Sequence, residues 1–320
     1  MTAIVGILNK RGIAIASDSA VTFTNAIQEV AIQNKNEKVI SVKDKVVNSG
    51  DKMLRLKDNQ PVAVMIVGNS LLTKLPWDVI VRWYRKQNDS SGFPKLEDYV
   101  QQFKGFVDSE IIASHIKNDV VFKEKERTFL VFAGYGEDEA YPSIYQYEVT
   151  GINKSKLQWQ LSGSANISGE QESNIFTSGQ SDIIDAIELG IQNERIGVIR
   201  KRFQTLIEDL LTQNLLDSLI VKIDYPTIRQ EVADLIRESG KEHLRQHLKA
   251  IKQFDLQKMA CLAENLIKAT ELHRKITFRQ EGVGGLIDLA VITREDGFQW
   301  LNRKSWYEPS KGGQYGKFGI

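Results

Sequence analysis

Thr2 is the first residue with chemistry to offer. A small second residue permits removal of the initiator Met1, which leaves Thr2 with a hydroxyl and a free α-amine. A threonine hydroxyl is a weak nucleophile unless a base stands beside it, and an N-terminal amine supplies one. The amine's reference pKa of about 7.7–8.0 lies near neutrality and needs little tuning. The chemistry on offer is acyl transfer, with attack on an amide carbonyl and proton acceptance built into one residue. Many proteins begin Met-Thr, so the pair acquires meaning only from its companions.

Asp18 and Lys52 accompany it. A carboxylate that holds a buried ammonium near a nucleophile lowers proton affinity there. Asp18 comes after the second of two short apolar runs, Ala3–Leu8 and Ile13–Ala16, that flank the turn Asn9-Lys10-Arg11-Gly12. Such a pair of runs predicts a β-hairpin, and antiparallel pairing returns Asp18 to the neighbourhood of Thr2. Lys52 opens a further predicted strand, Lys52–Leu56, and reaches the same end. The plainer reading is an ordinary amino terminus with a structural ion pair under a strand end.

Other reactive groups lead less far. His243 and His247 stand at i, i+4 on a predicted helix, a spacing that puts two imidazoles on one face. Their segment, Lys241-Glu242-His243-Leu244-Arg245-Gln246-His247, lacks the glutamate of a zinc-protease helix and reads as a solvated charged face. No metal and no cofactor are expected. Cys261, inside the apolar patch Met259–Leu262, reads as a small core residue. Arg200-Lys201-Arg202 is too small a basic cluster for nucleic-acid binding.

Composition narrows the classes. The 320 residues suffice for one large domain or two ordinary ones, and 42% hydrophobic with 26% charged is average for a folded protein. Lys+Arg minus Asp+Glu is 42 − 41 = +1, so no global field draws nucleic acid or an anionic membrane. A single cysteine excludes an internal disulfide framework and a cysteine-cluster metal site. No apolar run reaches the roughly 18 residues of a membrane span. The apolar start, Ala3–Leu8, is too short for a secretory signal, so a cytoplasmic protein is expected.

The reactive residues need strands to hold them, and the pattern supplies these. After Lys52–Leu56 comes Val62–Val67. Leu71, Leu72, Leu75, Val79, Ile80, Trp83 and Tyr84 recur at helical spacing, with Pro76 near the start, and Lys95–Ile116 repeats the pattern. Strands are predicted at Thr128–Tyr135, Ser143–Thr150, Leu157–Leu161 and Asn174–Thr177. From Ser181 to His273 the pattern is almost wholly helical; strands Gly285–Thr293 and Phe298–Leu301 then flank the turn Arg294-Glu295-Asp296-Gly297. Thr24–Gly50, mostly polar with scattered Ile and Val, reads as an extended excursion or loop. The tail after Trp306 lacks periodicity and is expected to be mobile. Strands arriving in hairpins, with no Gly-rich phosphate loop after a strand, give an α+β class rather than a doubly wound sheet.

Thr2-Ala3-Ile4-Val5-Gly6 through Gly12-Ile13-Ala14-Ile15-Ala16-Ser17-Asp18-Ser19 resembles the mature amino terminus of proteasome β-subunits and their bacterial HslV-type relatives. The separation of Thr2 from Asp18 matches without a gap. In family order, Lys52-Met53-Leu54-Arg55-Leu56 resembles the strand bearing the catalytic lysine, and Val67-Gly68-Asn69 the strand end whose glycine amide forms the oxyanion hole. Ala133-Gly134-Tyr135 with Pro142 and Tyr145 resembles the central hairpin, and Thr177-Ser178-Gly179-Gln180 the Gly-Ser-Gly turn. Gly284-Gly285-Leu286-Ile287-Asp288-Leu289 with Glu295-Asp296-Gly297 resembles the last hairpin. There are departures. Ala20 stands where the family usually has Arg, Gln280 and Val283 where it has Asp and Ser, and the loop between Asp18 and Lys52 is longer.

The resemblance implies the four-layer αββα sandwich of N-terminal nucleophile (Ntn) hydrolases over residues 1–301. A helical insertion is expected at about 193–255, and a Gly-rich tail at 302–320. It implies a threonine peptidase with Thr2 as nucleophile, Asp18 and Lys52 as its electrostatic support, and the Gly68 N–H as oxyanion donor. Ser178 would assist the amine, and Glu281 would replace the missing carboxylate. Positions lining the family's first specificity pocket fall at Val21, Gly50, Leu54, Ile66 and Ser70; being apolar or small, they imply preference for a hydrophobic residue before the scissile bond. Implied partners are a peptide or protein substrate and further copies of the chain in a ring-shaped homo-oligomer, with room for an ATP-dependent unfoldase. Neither nucleic acid nor membrane is expected. Two other readings stay open: an amidohydrolase acting on a small amide without a ring, and a catalytically silent scaffold resembling proteasome α-subunits, to which Ala20, Gln280 and Val283 point.

Overall fold

The computed structural model describes residues 2–31, 38–47, 50–88, 91–115, 119–124, 127–190, 197, 199, 201–205, 225–277 and 282–304. β1 (Ala3–Asn9) and β2 (Gly12–Ser17) form the predicted hairpin, with Ile4 opposite Ser17 and Asn9 opposite Gly12. β3 (Val21–Ala31) and β4 (Lys38–Val47) then pair with each other as a two-stranded ribbon. The stretch 24–50, read as an extended excursion or loop, is thus extended and paired over most of its described length rather than a loop. Backbone pairing does not require a regular apolar alternation in the sequence, and 24–50 carries its Ile and Val only singly or in pairs.

β5 (Met53–Arg55) and β6 (Val62–Gly68) come next, and then the short pair β7 (Leu71–Leu72) and β8 (Leu75–Pro76). Helix α1 (Trp77–Gln87) therefore starts later than the periodicity from Leu71 implies. Pro76 is extended, with φ −63° and ψ 136°, and a proline also disfavours helical backbone in the residue before it. α2 (Leu96–Phe106) runs through a π-helical stretch, Val107–Ile112, into the short α3 (Ala113–His115). Beyond it lie β9 (Val120–Val121), β10 (Thr128–Gly134), β11 (Ser143–Asn153), β12 (Lys156–Asn166) and β13 (Ser173–Gly179). Helices α4 (Asp182–Leu189), α5 (Tyr225–Ile251) and α6 (Leu256–Ile276) precede the closing hairpin of β14 (Asp288–Thr293) and β15 (Gly297–Asn302). Most of 191–224, and the tail after 304, lie outside the described residues.

The chain is mixed α/β with antiparallel sheets. One sheet has the order β13-β1-β2-β14-β15; the other runs β12-β11-β10-β6-β5, with β9 on β11. β1 and β2 read as continuous apolar runs because both of their faces are covered. On one face Ile4, Leu8, Ile13 and Ile15 pack with Met65, Val131 and Ile144 of the other sheet. On the opposite face Ala3, Val5, Ile7 and Ala14 pack with Met259, Ala263 and Ile267 of α6. A third core joins Val64, Ile66, Leu130 and Phe132 to Trp77, Tyr84, Tyr99 and Phe103 of α1 and α2. Each of the larger buried Val, Leu, Ile, Met and Phe side chains contributes about 1.5–3 kcal/mol before the entropy cost of ordering it. Among the described residues, no helix is long and apolar enough to cross a membrane.

Candidate active site

Thr2 precedes β1, Asp18 comes directly after β2, and Lys52 lies just ahead of β5. The hairpin register continues one step past the strands. Asp18 N donates to Ala3 O at 3.3 Å, and Ala3 N donates to Asp18 Oδ1 at 2.9 Å. Lys52 Nζ donates to the same Oδ1 at 2.8 Å. On the other oxygen, Asp18 Oδ2 accepts from Ala20 N at 3.1 Å and Gly284 N at 3.3 Å. Asp18 is 0% exposed, Thr2 5% and Lys52 6%. Four N–H donors from separate parts of the chain thus converge on one acceptor-only carboxylate.

Burial pushes the Lys52 ammonium below its usual value, against the opposing pull of Asp18; the nearby Lys304 pushes it further down and Asp288 back up. A lysine in this setting is a poorly solvated positive charge, and the oxygen that holds it also accepts from Ala3 N, the amide after Thr2. Such a charge favours the deprotonated form of its neighbours. Ser17 and Ser19 flank Asp18 with fully buried hydroxyls that have no hydrogen-bond partner among the described residues.

The ends of β13 and β6 close the site. Gln180 N donates to Thr2 O at 2.7 Å. Gly179 has φ +82°, and a Cβ there would stand 2.0 Å from Thr2 O and 3.4 Å from Val67 Cγ1. Only glycine permits that backbone to run so close to Thr2. Gly68, next to Val67, has φ +86° and is held by the close approach of Arg127 O, 2.7 Å from where a Cβ would be. The Thr2 peptide, position 179 and the end of β6 are therefore neighbours. Ser178 lies opposite Ile4 in the β1–β13 ladder, and its hydroxyl donates to Gln146 Oε1 of β11, whose Nε2 donates to Ser162 Oγ at 3.0 Å.

The expected specificity residues come from several elements. Gly50 is half-buried and its N donates to Ser19 O at 3.0 Å, beside Asp18. Leu54 and Ile66, 3% and 5% exposed, belong to the core against α1 and α2, while Ser70 is exposed. Val21 opens β3 opposite Val47, and its side chain lies outside the described residues, as do Gln280 and Glu281 altogether. Val283 is buried in the core against α6, and Ala20 serves Asp18 through its backbone.

A second charged group was missed by sequence reasoning. Lys304 Nζ donates to Asp288 Oδ2 at 3.0 Å and Lys304 N to Asp288 Oδ1 at 3.0 Å. The same Nζ donates to Gly50 O and lies 3.4 Å from Asp51 Oδ1, and Asp51 also pairs with Arg82 of α1. The available signal was Asp288, a carboxylate inside the apolar stretch Ile287–Ile292. Among the described residues no three His, Cys, Asp or Glu side chains gather as a metal site; His243 and His247 meet edge to face with centroids 4.6 Å apart.

No protein-family model matches this chain, and no curated protein does. Two solved structures of Anbu from Hyphomicrobium sp. strain MC1 do match. One, an Anbu (Gly-1) mutant, is 13% identical over 95% of this chain and 86% of that chain, with a TM-score of 0.43. The other is 13% identical over 95% of this chain and 89% of that chain, with a TM-score of 0.39. Likenesses of this degree carry no weight for activity.

Proposed function

We propose that the chain is a threonine peptidase of the proteasome-like Ntn-hydrolase kind, with Thr2 as nucleophile once Met1 is removed. The observation that carries this reading is Asp18 Oδ1, which accepts at once from Ala3 N, the amide next to Thr2, and from Lys52 Nζ. Supporting the matching fold is the order of the three cores, helices against a sheet, sheet against sheet, and sheet against helices, which is read as four layers. The domain is taken as 1–301, with the helical segment at about 193–255 as an addition to it and 302–320 as a tail whose first residues, Asn302 to Lys304, finish β15 and return to Asp288.

In this reading Thr2 Oγ attacks the carbonyl carbon of a peptide bond, and its proton passes to the Thr2 α-amine. Lys52, held by Asp18, favours the unprotonated amine by its charge. The Gly68 N–H receives the oxyanion, a contribution worth about 3–4 kcal/mol in acyl transfer. Collapse expels the leaving amine, which takes the proton from the α-amine, and leaves an ester on Thr2. A water then adds to that ester, giving its proton to the α-amine, and the second collapse releases the acid and restores the Thr2 hydroxyl. Ser178 and Glu281 are assigned as supports of the amine. Val21, Gly50, Leu54, Ile66 and Ser70 are assigned to the pocket for the residue before the scissile bond. The substrate is a peptide or protein, cut inside a ring of identical copies in the cytoplasm, with an ATP-dependent unfoldase as the feeding partner.

Intact mass before and after an electrophile that captures N-terminal threonine tests this. The expected result is loss of Met1 and one stoichiometric adduct, absent in Thr2→Ala. Retained Met1, or a free Thr2 that takes no label, would replace this reading by the silent scaffold.

A further inference from the structure

Two buried lysine–aspartate pairs stand at this end of the molecule. Lys52 is bound by Asp18, and Lys304, its side chain 4% exposed, is bound by Asp288 at 2%. The Gly50–Asp51 segment, which delivers Lys52, is held between them. Gly50 N donates to Ser19 O, beside Asp18, whereas Gly50 O accepts from Lys304. Asp51 is shared by Lys304 and by Arg82 of α1. Asp288 pairs with Ser17 in the β2–β14 ladder, so the second ion pair is anchored one residue from Asp18. The segment after β15 is brought back to this point by Asn302 Nδ2 on Ile287 O at 3.1 Å and by Lys304 N on Asp288.

We propose that Lys304, anchored on Asp288, is a positioning residue for Lys52, pinning the Gly50–Asp51 backbone and contributing to the charge that Lys52 and the Thr2 amine face. This rests on Thr2 being the nucleophile. Among the described residues, the charged groups facing Lys52 include Asp18 after β2, Asp288 on β14 and Lys304 after β15; those facing Lys304 are Asp288, Lys52 and Asp51, the last also held by Arg82. A like charge in a poorly solvated site disfavours protonation and an opposite charge favours it. Lys304 and Asp288 therefore act on Lys52 with opposite sign, which a merely structural pair would not reveal.

The test uses the full chain and the rate of electrophile capture at Thr2 as a function of pH, which needs no substrate. If the wild type takes no adduct, the threonine-peptidase reading itself fails; failure of the positioning role shows only in variants of a wild type that does react. Given capture, Lys304→Met moves the acidic limb up by about half a pH unit or more, and Asp288→Asn moves it down by a similar amount. Limbs that stay put, or that move in the same direction in both variants, would overturn the proposal. Where a single variant fails to fold, the neutral double variant Lys304→Met/Asp288→Asn decides, because replacing both members of a buried pair is far better tolerated than removing one. In it the limb returns towards the wild-type position and the plateau rate falls about tenfold at unchanged melting temperature, the loss of pinning being worth about one decade of rate. An unchanged plateau would sink the positioning role.

Discussion

Lys52 Nζ lies 2.8 Å from Asp18 Oδ1, with the two side chains 7% and 0% exposed. A pair this dry is not a general source of stability, since desolvating both charges offsets most of their attraction. Its value is local. It holds an ammonium on the same carboxylate that accepts from Ala3 N, and so ties the start of β1, the end of β2 and the approach to β5 together.

Asp18→Asn leaves a buried ammonium without its counter-charge. Loss of about 3–5 kcal/mol of unfolding free energy is expected, together with at least a hundredfold slower capture at Thr2. Denaturant unfolding measures the first and the adduct rate the second. Asp18→Asn at wild-type stability would contradict the burial argument.

Gly179→Ala forces a Cβ into Thr2 O at a backbone angle, φ +82°, that L side chains rarely adopt. The variant should lose about 1–3 kcal/mol of stability and capture the electrophile at least tenfold more slowly, because the displaced group is the Thr2 peptide itself. A comparison with Gly105→Ala, where a Cβ meets nothing within 4 Å, controls for simple glycine loss in a thermal melt and capture assay.

Glu188 on α4 lines an apolar cavity with Ile187, His247, Phe254 and Leu266, and its Oε1 has no partner among the described residues. Burial, then the nearby Asp185, pushes its pKa from 4.5 up to about 7. The folded protein thus keeps a proton that the unfolded chain has released. This contribution is complete below pH about 4.5 and lost as pH rises through about 7. Relative to Glu188→Gln, wild type should lose about 1–3 kcal/mol between pH 5 and 8. Parallel unfolding curves at the two pH values would refute the raised pKa.

A fluorogenic peptide series checks the assigned pocket. Peptides with an apolar residue before the scissile bond should be cut with the highest kcat/KM, by about tenfold or more over acidic or basic counterparts. Best cleavage after a charged residue would show that Leu54 and Ile66 do not line that pocket.

The amino-terminal hairpin was legible because its signals are local. A Lys-Arg-Gly turn between two apolar runs fixes an antiparallel register, and the register alone brings Asp18 to Ala3. The helix at 77–87 was legible in its periodicity but not in its start, because residues 71–76 carry the same apolar spacing while folding as a tight β pair. The β3–β4 ribbon escaped for the opposite reason, its backbone pairing leaving no apolar stripe in the sequence.

By itself the sequence singled out Thr2 with its amine, Asp18 and Lys52 as candidates for acyl transfer, and determined that the hairpin turn sets two of them together. Tertiary structure alone decided the rest. Lys304 reaches Gly50 across 254 positions of sequence, and Ser178 turns its hydroxyl to Gln146 on the other sheet. Neither contact leaves a periodic or local trace. Both depend on how strands distant in the chain dock, and that docking is set by the shared apolar cores rather than by the polar residues it brings together.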